Sequence, residues 1–447
     1  MRRIFIFGLD STPPRILYDR VGVDLKYLSE VVDESTRFIL RSCHPPITIP
    51  AWISMFTGKT PGELGIYGFR HRKPGDVHES YIVNSRFVRE PTLWDVLGSR
   101  GYYVGVIGVP PTYPPKPVHG FMITDFTTPG PDKNYTFPPW LKYDIEKLFG
   151  PYIFDVVYRS YEKDRVRREI FEMTKQHINI VKYLLTSRRW DILVYVEIGV
   201  DRVHHAFWKY YDREHPKHQE HPLYSRVIPE YYKLLDREFN EIRKLIPKDT
   251  VIVVVSDHGV KAMKGAFAVN QWLEEQGYLK FKEEPRKPGE DINHTLIDWE
   301  HTIAWGWGGY YARIFINLEG REPKGIVKKW EYEDIVKQLK NDIVRIRGPN
   351  GELWDNKVYT PYELYPQVRG DAPDLLVYFD NLNWRSAGTI GWDTVYLSEN
   401  DRGPDDAVHD WNGVLAIYDP EQTLSKGFKG EIGIEKVYSI LMEILKT

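Results

Sequence analysis

The sequence predicts an α/β protein in which a largely parallel sheet is covered by helices on both faces. Three observations lead to this prediction. Short runs rich in Val, Ile, Tyr and Phe recur along the 447 residues, and they are apolar throughout, as in strands buried on both faces. Helical patterns with apolar residues three and four apart lie between them. Alternation of this kind is typical of α/β domains, and we expect a single domain over residues 1–447.

The predicted strands alternate with predicted helices along the chain. They are Arg3–Gly8, Arg37–Arg41, Tyr102–Val109, Asp191–Ile198, Thr250–Ser256, Asp374–Phe379 and Gly413–Tyr418. The main predicted helices are Tyr161–Ser187, Pro229–Leu245 and Glu435–Leu445. From about residue 272 to residue 370 the pattern becomes irregular, with one further strand at Tyr311–Leu318. We interpret this stretch as an inserted α+β subdomain beside the sheet.

Composition excludes several classes of protein. No apolar run approaches the ~18 residues that a membrane span needs. Sixty Lys and Arg against 63 Asp and Glu give a net charge of -3, so no global basic field exists to bind nucleic acid or anionic lipid. The single cysteine, Cys43, excludes an intramolecular disulfide, and no signal peptide is recognised, so a cytoplasmic location is predicted. Only seven glutamines accompany the many charged residues, a bias typical of heat-adapted proteins.

Polar residues directly follow several of the predicted strands. In parallel sheets ligands bind at the carboxyl ends of the strands, so these residues are candidates for a functional site. Taken singly, each of these Asp and His residues is equally a helix cap or a hydrogen-bonded core group. Taken together, such a set of oxygen and nitrogen ligands suits zinc or another divalent transition ion, with manganese and iron as alternatives. The predicted ligands are Asp10, Asp201, His205, Asp257, His258 and His409. Asp201 and His205 are four residues apart, so a helix puts both on one face.

Thr48 is the candidate nucleophile. Pro50 suits the first turn of a following helix, Pro50–Phe56, so Thr48 stands at the N-terminus of that helix. Free N–H groups and the helix dipole there favour an alkoxide and a bound phosphate. A metal ion coordinated to the hydroxyl oxygen can activate it without a histidine base. The alternative is a threonine that only caps the helix.

These motifs carry a family resemblance. In chain order they are Gly8-Leu-Asp10, the stretch from Thr48 to Gly62 with Gly65-Ile66, Asp201–His205, Ser256–Gly259 and His409. The sequence resembles the type I phosphodiesterase/nucleotide pyrophosphatase branch of the alkaline phosphatase superfamily, over nearly the whole chain. The resemblance implies an alkaline phosphatase-like fold with two zinc ions at the carboxyl edge of the sheet. One ion would be held by Asp201, His205 and His409, and the other by Asp10, Asp257 and His258, with Thr48 on the second ion.

The resemblance also implies a hydrolase mechanism. Two ions ~3.5–4 Å apart clamp the attacking and leaving oxygens of an in-line displacement, and a phosphothreonine forms and is then hydrolysed by water. The Ile49 N–H can donate to a phosphoryl oxygen. The expected substrate is a small-molecule phosphodiester or a nucleotide. The sequence predicts no oligomeric state.

One departure from the family concerns phosphate binding. Nucleotide pyrophosphatases carry an Asn shortly after the segment that follows the nucleophile helix, and the stretch from Gly65 to Arg70 has none. Arg70, His71 and Lys264 are cations that substitute for it in our interpretation. Aromatic residues outnumber firm cations around the motifs, which favours diesters over monoesters. Trp305 and Phe207 are the aromatic residues expected to line the pocket.

Three other patterns are rejected, and three alternative functions stay open. Gly58-Lys-Thr60 lacks the glycine of a P-loop at position 53, where Ile53 stands, the histidines at 215, 218 and 221 belong to a loop, and the glycines around Trp305 lack a dinucleotide-binding context. The alternatives are a phosphomonoesterase, a phosphosugar mutase and a catalytically silent zinc-stabilised binding protein. A sulfatase is disfavoured because Thr48 is neither Cys nor Ser.

Overall fold

Strands and helices alternate along most of the chain. The computed structural model describes residues 2–73, 76–283, 287–292 and 296–446. The described strands are β1 (Ile4–Leu9), β2 (Thr36–Arg41), β3 (Arg70–Lys73), β4 (Asp76–Ile82), β5 (Val104–Ile107), β6 (Gly120–Ile123), β7 (Thr136–Phe137), β8 (Ile192–Glu197), β9 (Val251–Val255), β10 (Gly259–Ala262), β11 (Gly265–Ala268), β12 (Ala304–Trp307), β13 (Ala312–Ile316), β14 (Lys357–Tyr359), β15 (Leu375–Tyr378), β16 (Trp384–Ala387), β17 (Tyr396–Leu397), β18 (Ala407–Asp410), β19 (Asn412–Tyr418) and β20 (Gly427–Gly433). The described α-helices are α1 (Pro14–Leu17), α2 (Lys26–Asp33), α3 (Thr48–Thr57), α4 (Pro61–Leu64), α5 (Leu93–Ser99), α6 (Leu141–Phe149), α7 (Lys163–Ser187), α8 (Gly199–Tyr211), α9 (Val227–Leu245), α10 (Val269–Glu275), α11 (Tyr332–Val344), α12 (Pro361–Leu364) and α13 (Lys436–Ile444).

The central sheet contains nine of the described strands in the order β20-β2-β19-β9-β1-β8-β5-β6-β7. The strands β9, β1, β8, β5 and β6 run parallel, β2 is parallel to β20, and β19 and β7 run antiparallel to their neighbours. Six of the seven predicted strands lie in this sheet, and the three predicted helices correspond to α7, α9 and α13. The predicted α/β class with a mostly parallel sheet is confirmed.

Helices cover both faces of the sheet because side chains alternate along each strand. In β1, Phe5 and Phe7 pack in a buried cluster with residues of α7, α8 and α9. Ile4 and Ile6 belong to a second cluster, which includes Trp52 of α3. Every residue of β1 is buried, as is typical of a central parallel strand covered on both faces.

Smaller sheets lie outside the central one. The strands β12, β13, β15 and β14 form an antiparallel sheet of four described strands, which packs with α10 and α11 in a buried cluster of its own. The predicted strand Asp374–Phe379 belongs here as β15, so its placement in the central sheet was wrong: its apolar run is buried in the cluster of this four-stranded sheet. Tyr311–Leu318 is confirmed as β13. Residues 284–286 and 293–295 lie outside the described part, and the subdomain boundaries at 272 and 370 stay a prediction.

No described helix combines the length and the apolar character needed to cross a bilayer.

Candidate metal centre

The predicted ligands meet at the carboxyl edge of the central sheet. The strands β9, β1 and β8 are parallel neighbours, so their carboxyl ends lie together. Asp10 follows β1, Asp257 and His258 follow β9, and α8, which follows β8, carries Asp201 and His205 on one face. The sixth residue, His409, lies on β18, where it is paired with Val260 of β10. The structure therefore brings all six predicted ligands to one place.

The six residues form two groups. Asp201, His205 and His409 form the first candidate ligand group, and Asp10, Asp257 and His258 form the second; within each group the ligand atoms lie within 4.8 Å of one another. In the first group, Asp201 Oδ1 is 3.1 Å from His205 Nε2 and 3.8 Å from His409 Nε2. In the second group, His258 Nε2 is 3.3 Å from Asp257 Oδ2 and 3.7 Å from Asp10 Oδ1. The two groups are adjacent, since the rings of His258 and His409 stack with centroids 3.8 Å apart.

Each histidine is oriented by a bond from its other ring nitrogen. His258 Nδ1 donates to the carbonyl of Gly259 at 2.9 Å, and His409 Nδ1 donates to the carbonyl of Pro46 at 2.7 Å. His205 Nδ1 lies 2.7 Å from Asp405 Oδ1. Bonds of this kind fix the tautomer and ring orientation of metal-binding histidines. In all three residues, Nε2 is the nitrogen that faces the carboxylates.

Four buried atoms in the two groups have no hydrogen-bond partner within the described part of the chain. They are Asp10 Oδ1, Asp201 Oδ1, Asp257 Oδ2 and His409 Nε2. A buried polar atom without a partner costs roughly 1–3 kcal/mol, more when it is charged. Carboxylate oxygens and imidazole nitrogens are ligands of divalent transition ions. The donor set therefore fits two such ions.

Burial perturbs the titration of these groups. It raises the pKa of Asp10 and of Asp257, and the charges of neighbouring carboxylates raise both further. Burial alone would also raise the pKa of Asp201, but His205 and other nearby cationic groups hold it well below its ordinary value. Burial lowers the pKa of His258 to about 4. Repulsion between carboxylates thus adds to the effect of burial on Asp10 and Asp257.

Thr48 lies beside the second group. It is the first residue of α3, which ends at Thr57. The helix was predicted to begin at Pro50, so it begins two residues earlier than predicted. The side chain is nearly buried, and its Oγ1 is 3.4 Å from His258 Nε2. Ile49 follows in the first helical turn, where backbone N–H groups lack partners within the helix. The hydroxyl and these N–H groups are thus next to the second ligand group.

Neighbouring groups donate hydrogen bonds to the carboxylates of the candidate ligands, and the sequence did not predict these bonds. Trp52 Nε1 donates to Asp10 Oδ2 at 2.7 Å, and Arg202 Nη1 donates to Asp201 Oδ2 at 2.6 Å. The backbone N–H of Ser11 donates to Asp257 Oδ1 at 3.2 Å. Trp52 and Arg202 lie within the motifs, but nothing in their spacing indicates which carboxylate they contact.

The predicted phosphate-binding cations have other contacts in the described part of the chain, and their role in binding phosphate stays a prediction. Arg70 is exposed beside the ring of Phe69, and Lys264 forms a surface ion pair with Asp380 at 2.9 Å. Neither forms a hydrogen bond or ion pair with the candidate ligands or Thr48 in the described part of the chain. His71 is buried and accepts a bond from the backbone N–H of Tyr67 at 3.0 Å.

The predicted aromatic pocket wall was wrong. Trp305 is buried in the cluster of the four-stranded sheet, where it stacks on Phe315, and Phe207 is buried in the cluster beneath α8. Both residues belong to hydrophobic cores because aromatic side chains bury large apolar areas. Tyr310 lies at the site instead, where its ring stacks on His409 with centroids 4.0 Å apart. No sequence pattern indicated this residue.

Comparison with known proteins assigns the family. The family model described as type I phosphodiesterase / nucleotide pyrophosphatase matches residues 4–405, so the chain belongs to that family and the resemblance is confirmed. Membership supports a hydrolase with phosphodiesterase or nucleotide pyrophosphatase activity. No curated protein sequence matches the chain significantly.

Solved structures share the fold. Murine ectonucleotide pyrophosphatase / phosphodiesterase 5 is 13% identical with a TM-score of 0.58, and the human protein gives the same values. An inactive threonine-to-alanine variant of the murine protein, in complex with AMP, is also 13% identical, with a TM-score of 0.57. Each match covers 100% of this chain and 95% of the other chain.

Proposed function

We propose that this protein is a two-metal phosphodiesterase or nucleotide pyrophosphatase in which Thr48 is the nucleophile. The observation that carries the proposal is the pair of adjacent carboxylate and histidine groups with the Thr48 hydroxyl beside one of them. Family membership supports the reaction class. The AMP bound to the murine structure supports a nucleotide as substrate.

The two groups would each hold one divalent ion, with zinc preferred and manganese or iron as alternatives. Asp201, His205 and His409 would hold one, and Asp10, Asp257 and His258 would hold the other, with Thr48 beside the second. Such ions lower the pKa of a coordinated hydroxyl and neutralise the charge that develops on the attacked phosphoryl group and the leaving oxygen.

Thr48 supplies the covalent chemistry. Its Oγ1 forms a bond to phosphorus, its proton passes to solvent, and the bond to the leaving oxygen breaks with the electron pair on that oxygen. Water then attacks the same phosphorus, the bond to Thr48 Oγ1 breaks and this oxygen takes up a proton, and the product leaves as a phosphate monoester. The Ile49 N–H, at the start of α3, donates to a phosphoryl oxygen in this proposal. The murine neighbour becomes inactive when a threonine is replaced by alanine, which supports a threonine nucleophile on this fold.

The test compares Thr48→Ala and Thr48→Ser with the wild-type protein, using metal analysis and an aryl phosphodiester. We expect about two ions per chain in all three proteins. Thr48→Ala should lose about 10³-fold or more in kcat, whereas Thr48→Ser should retain part of the activity because it keeps a hydroxyl. Thr57→Ala is the matched control, since Thr57 lies at the other end of α3 and bonds the carbonyl of Ile53.

Two results would contradict the proposal. A Thr48→Ala protein with a near wild-type rate would leave Thr48 as a structural residue. A wild-type protein that cleaves an aryl monoester with higher kcat/KM than the matching diester would assign it to the phosphatase or mutase alternative.

A further inference from the structure

Arg385 is a buried arginine whose charge is incompletely compensated. It lies on β16, its side chain is 7% exposed, and its Nε and Nη1 have no hydrogen-bond partner within the described part of the chain. A guanidinium remains charged at any physiological pH, so removing it from water without partners is costly. Side chains of this kind are satisfied when an anion binds.

Tyr310 connects Arg385 to the candidate metal centre. The Arg385 guanidinium carbon lies 4.6 Å from the centroid of the Tyr310 ring. The same ring stacks on His409 of the first ligand group, with centroids 4.0 Å apart. Stacking uses the face of a guanidinium, and its N–H groups point outward in its plane, where they can bind an anion.

Backbone pairing fixes this arrangement. The N–H of Gly309 donates to the carbonyl of Ser386 at 2.8 Å, and the N–H of Ser386 donates to Gly309 at 2.9 Å. These bonds hold the residues that follow Gly309 and precede Ser386 next to each other. A Cβ on the neighbouring Gly308 would lie 2.4 Å from the backbone nitrogen of Gly388, so the two segments of the chain approach closely. Tyr310 and Arg385 are therefore held by secondary structure.

The nearby carboxylate is already paired. Asp405 Oδ2 accepts from Arg159 Nε at 2.9 Å, and Asp405 Oδ1 is 2.7 Å from His205 Nδ1. Arg385 Nη1 is farther away, 3.7 Å from Asp405 Oδ2. Arg159 also donates from Nη2 to the Tyr310 hydroxyl at 2.6 Å. Two guanidinium groups thus face one carboxylate, and Arg159 is the one that bonds it, so Nε and Nη1 of Arg385 keep no hydrogen-bond partner in the described part of the chain.

We propose that Arg385, together with Arg159 and Tyr310, forms a subsite for a second anionic group of the substrate, on the side where the leaving group departs. The inference rests on the proposed function. Thr48 contacts the second ligand group, and in an in-line displacement the leaving oxygen departs on the opposite side of phosphorus, toward the first group. Within the substrates of the proposed function, Arg385 would then be a specificity residue that favours a leaving group carrying phosphate charge, such as pyrophosphate, over an uncharged alcohol or phenol.

The experiment compares two substrates that transfer the same group. Thymidine 5′-triphosphate releases pyrophosphate, and the p-nitrophenyl ester of thymidine 5′-phosphate releases nitrophenolate. With each, Thr48 Oγ1 bonds to the same phosphorus, and the electron pair of the broken bond goes to the leaving oxygen. The variants are Arg385→Met and Arg385→Lys. The matched control is Arg188→Met, because Arg188 pairs with Asp144 at 2.7 Å at the opposite edge of the sheet.

Arg385→Met should lower kcat/KM for the triphosphate by roughly 10- to 100-fold more than for the nitrophenyl ester. Arg385→Lys should recover part of the loss, since it keeps the charge without the planar fork. Arg188→Met should leave the ratio of the two substrates unchanged. An equal loss on both substrates would overturn the subsite and make Arg385 a residue that only supports Asp405, and no loss on either would also overturn it.

A binding measurement separates this inference from the proposed function. Calorimetry with inorganic pyrophosphate, on proteins of equal metal content and equal unfolding temperature, should show about tenfold weaker Kd or worse for Arg385→Met than for Arg188→Met. Equal Kd values would overturn the subsite. If the wild-type protein hydrolyses neither substrate, the proposed function fails, and the pyrophosphate measurement alone decides whether the anion subsite exists.

Discussion

Trp52→Phe tests whether the contact between an indole and a candidate ligand tunes metal binding. Trp52 Nε1 donates to Asp10 Oδ2 at 2.7 Å, and both side chains are fully buried. Phenylalanine keeps an aromatic ring for the stack with Phe56, whose centroid lies 6.0 Å away. The substitution therefore removes the donor while retaining most of the apolar packing.

The expected magnitude follows from the charge on the acceptor. A hydrogen bond to a charged group contributes ~1.5–3 kcal/mol, and ~1.4 kcal/mol corresponds to a tenfold change in an equilibrium constant. Because Asp10 belongs to the second ligand group, its loss of orientation should weaken the affinity for one ion by roughly 10- to 100-fold. The affinity for the other ion should change less, since Asp10 is not in the first group.

Competition against a chelator of known affinity measures the affinity of the protein for each of the two ions, and urea unfolding measures the free energy of unfolding. Trp208→Phe is the matched control: Trp208 is buried, and its Nε1 donates to Asp212 Oδ2 at 3.1 Å. Both variants should lose similar unfolding free energy, but only Trp52→Phe should weaken metal binding. Equal metal affinities in the two variants would refute the argument that the indole orients Asp10.

Three further predictions concern metal count, pH and packing. Asp257→Asn keeps the shape of a candidate ligand but removes its charge, so metal analysis should find about one ion fewer per chain, and an unchanged count would contradict the assignment. Burial lowers the pKa of His71 from 6.5 to about 3, so the unfolded chain binds more protons between these values and stability falls as the pH drops below 6.5. Urea unfolding should show that His71→Gln loses roughly 3 kcal/mol less than the wild-type protein between pH 7 and pH 4.5, and an equal loss would contradict this. A Cβ at Gly8 would lie 2.7 Å from Trp52 Cη2 and 2.9 Å from Val196 Cγ2, so Gly8→Ala should cost ~1–3 kcal/mol of unfolding free energy, and an unchanged urea midpoint would argue against tight packing there.

Local patterns predicted the parts of the fold that depend on local physics. Continuous apolar runs identified the central strands because both faces of a parallel sheet are covered. The rule that strands of such a sheet present ligands at their carboxyl ends placed Asp10, Asp201 and Asp257 together. The apolar runs could not tell which sheet β15 belongs to, because a buried antiparallel strand of a smaller sheet is apolar in the same way.

Residue type alone did not locate the side chains that lie beside the candidate ligands. Trp305 and Phe207 lie in cores, whereas Tyr310 stacks on a candidate ligand. In the sequence, an aromatic residue of a hydrophobic core looks the same as one beside a candidate ligand. Likewise, Lys264 follows a motif in sequence but is paired with Asp380. Arg385 lies against the Tyr310 ring through the pairing of Gly309 with Ser386, which no sequence pattern indicates.

Close backbone approach explains why the two ligand groups are adjacent. Gly259 lies on β10, where a Cβ would be 2.3 Å from the carbonyl oxygen of Asn412. Gly413 is equally confined, since its Cβ would be 2.6 Å from Ser256 Oγ. Small residues at these positions let the chain segments that follow β9 and precede β19 approach closely. His258 and His409 can then stack at 3.8 Å, and this contact joins the second group to the first. The glycines of these motifs therefore determine the spacing of the candidate metal centre, although they supply no ligand to it.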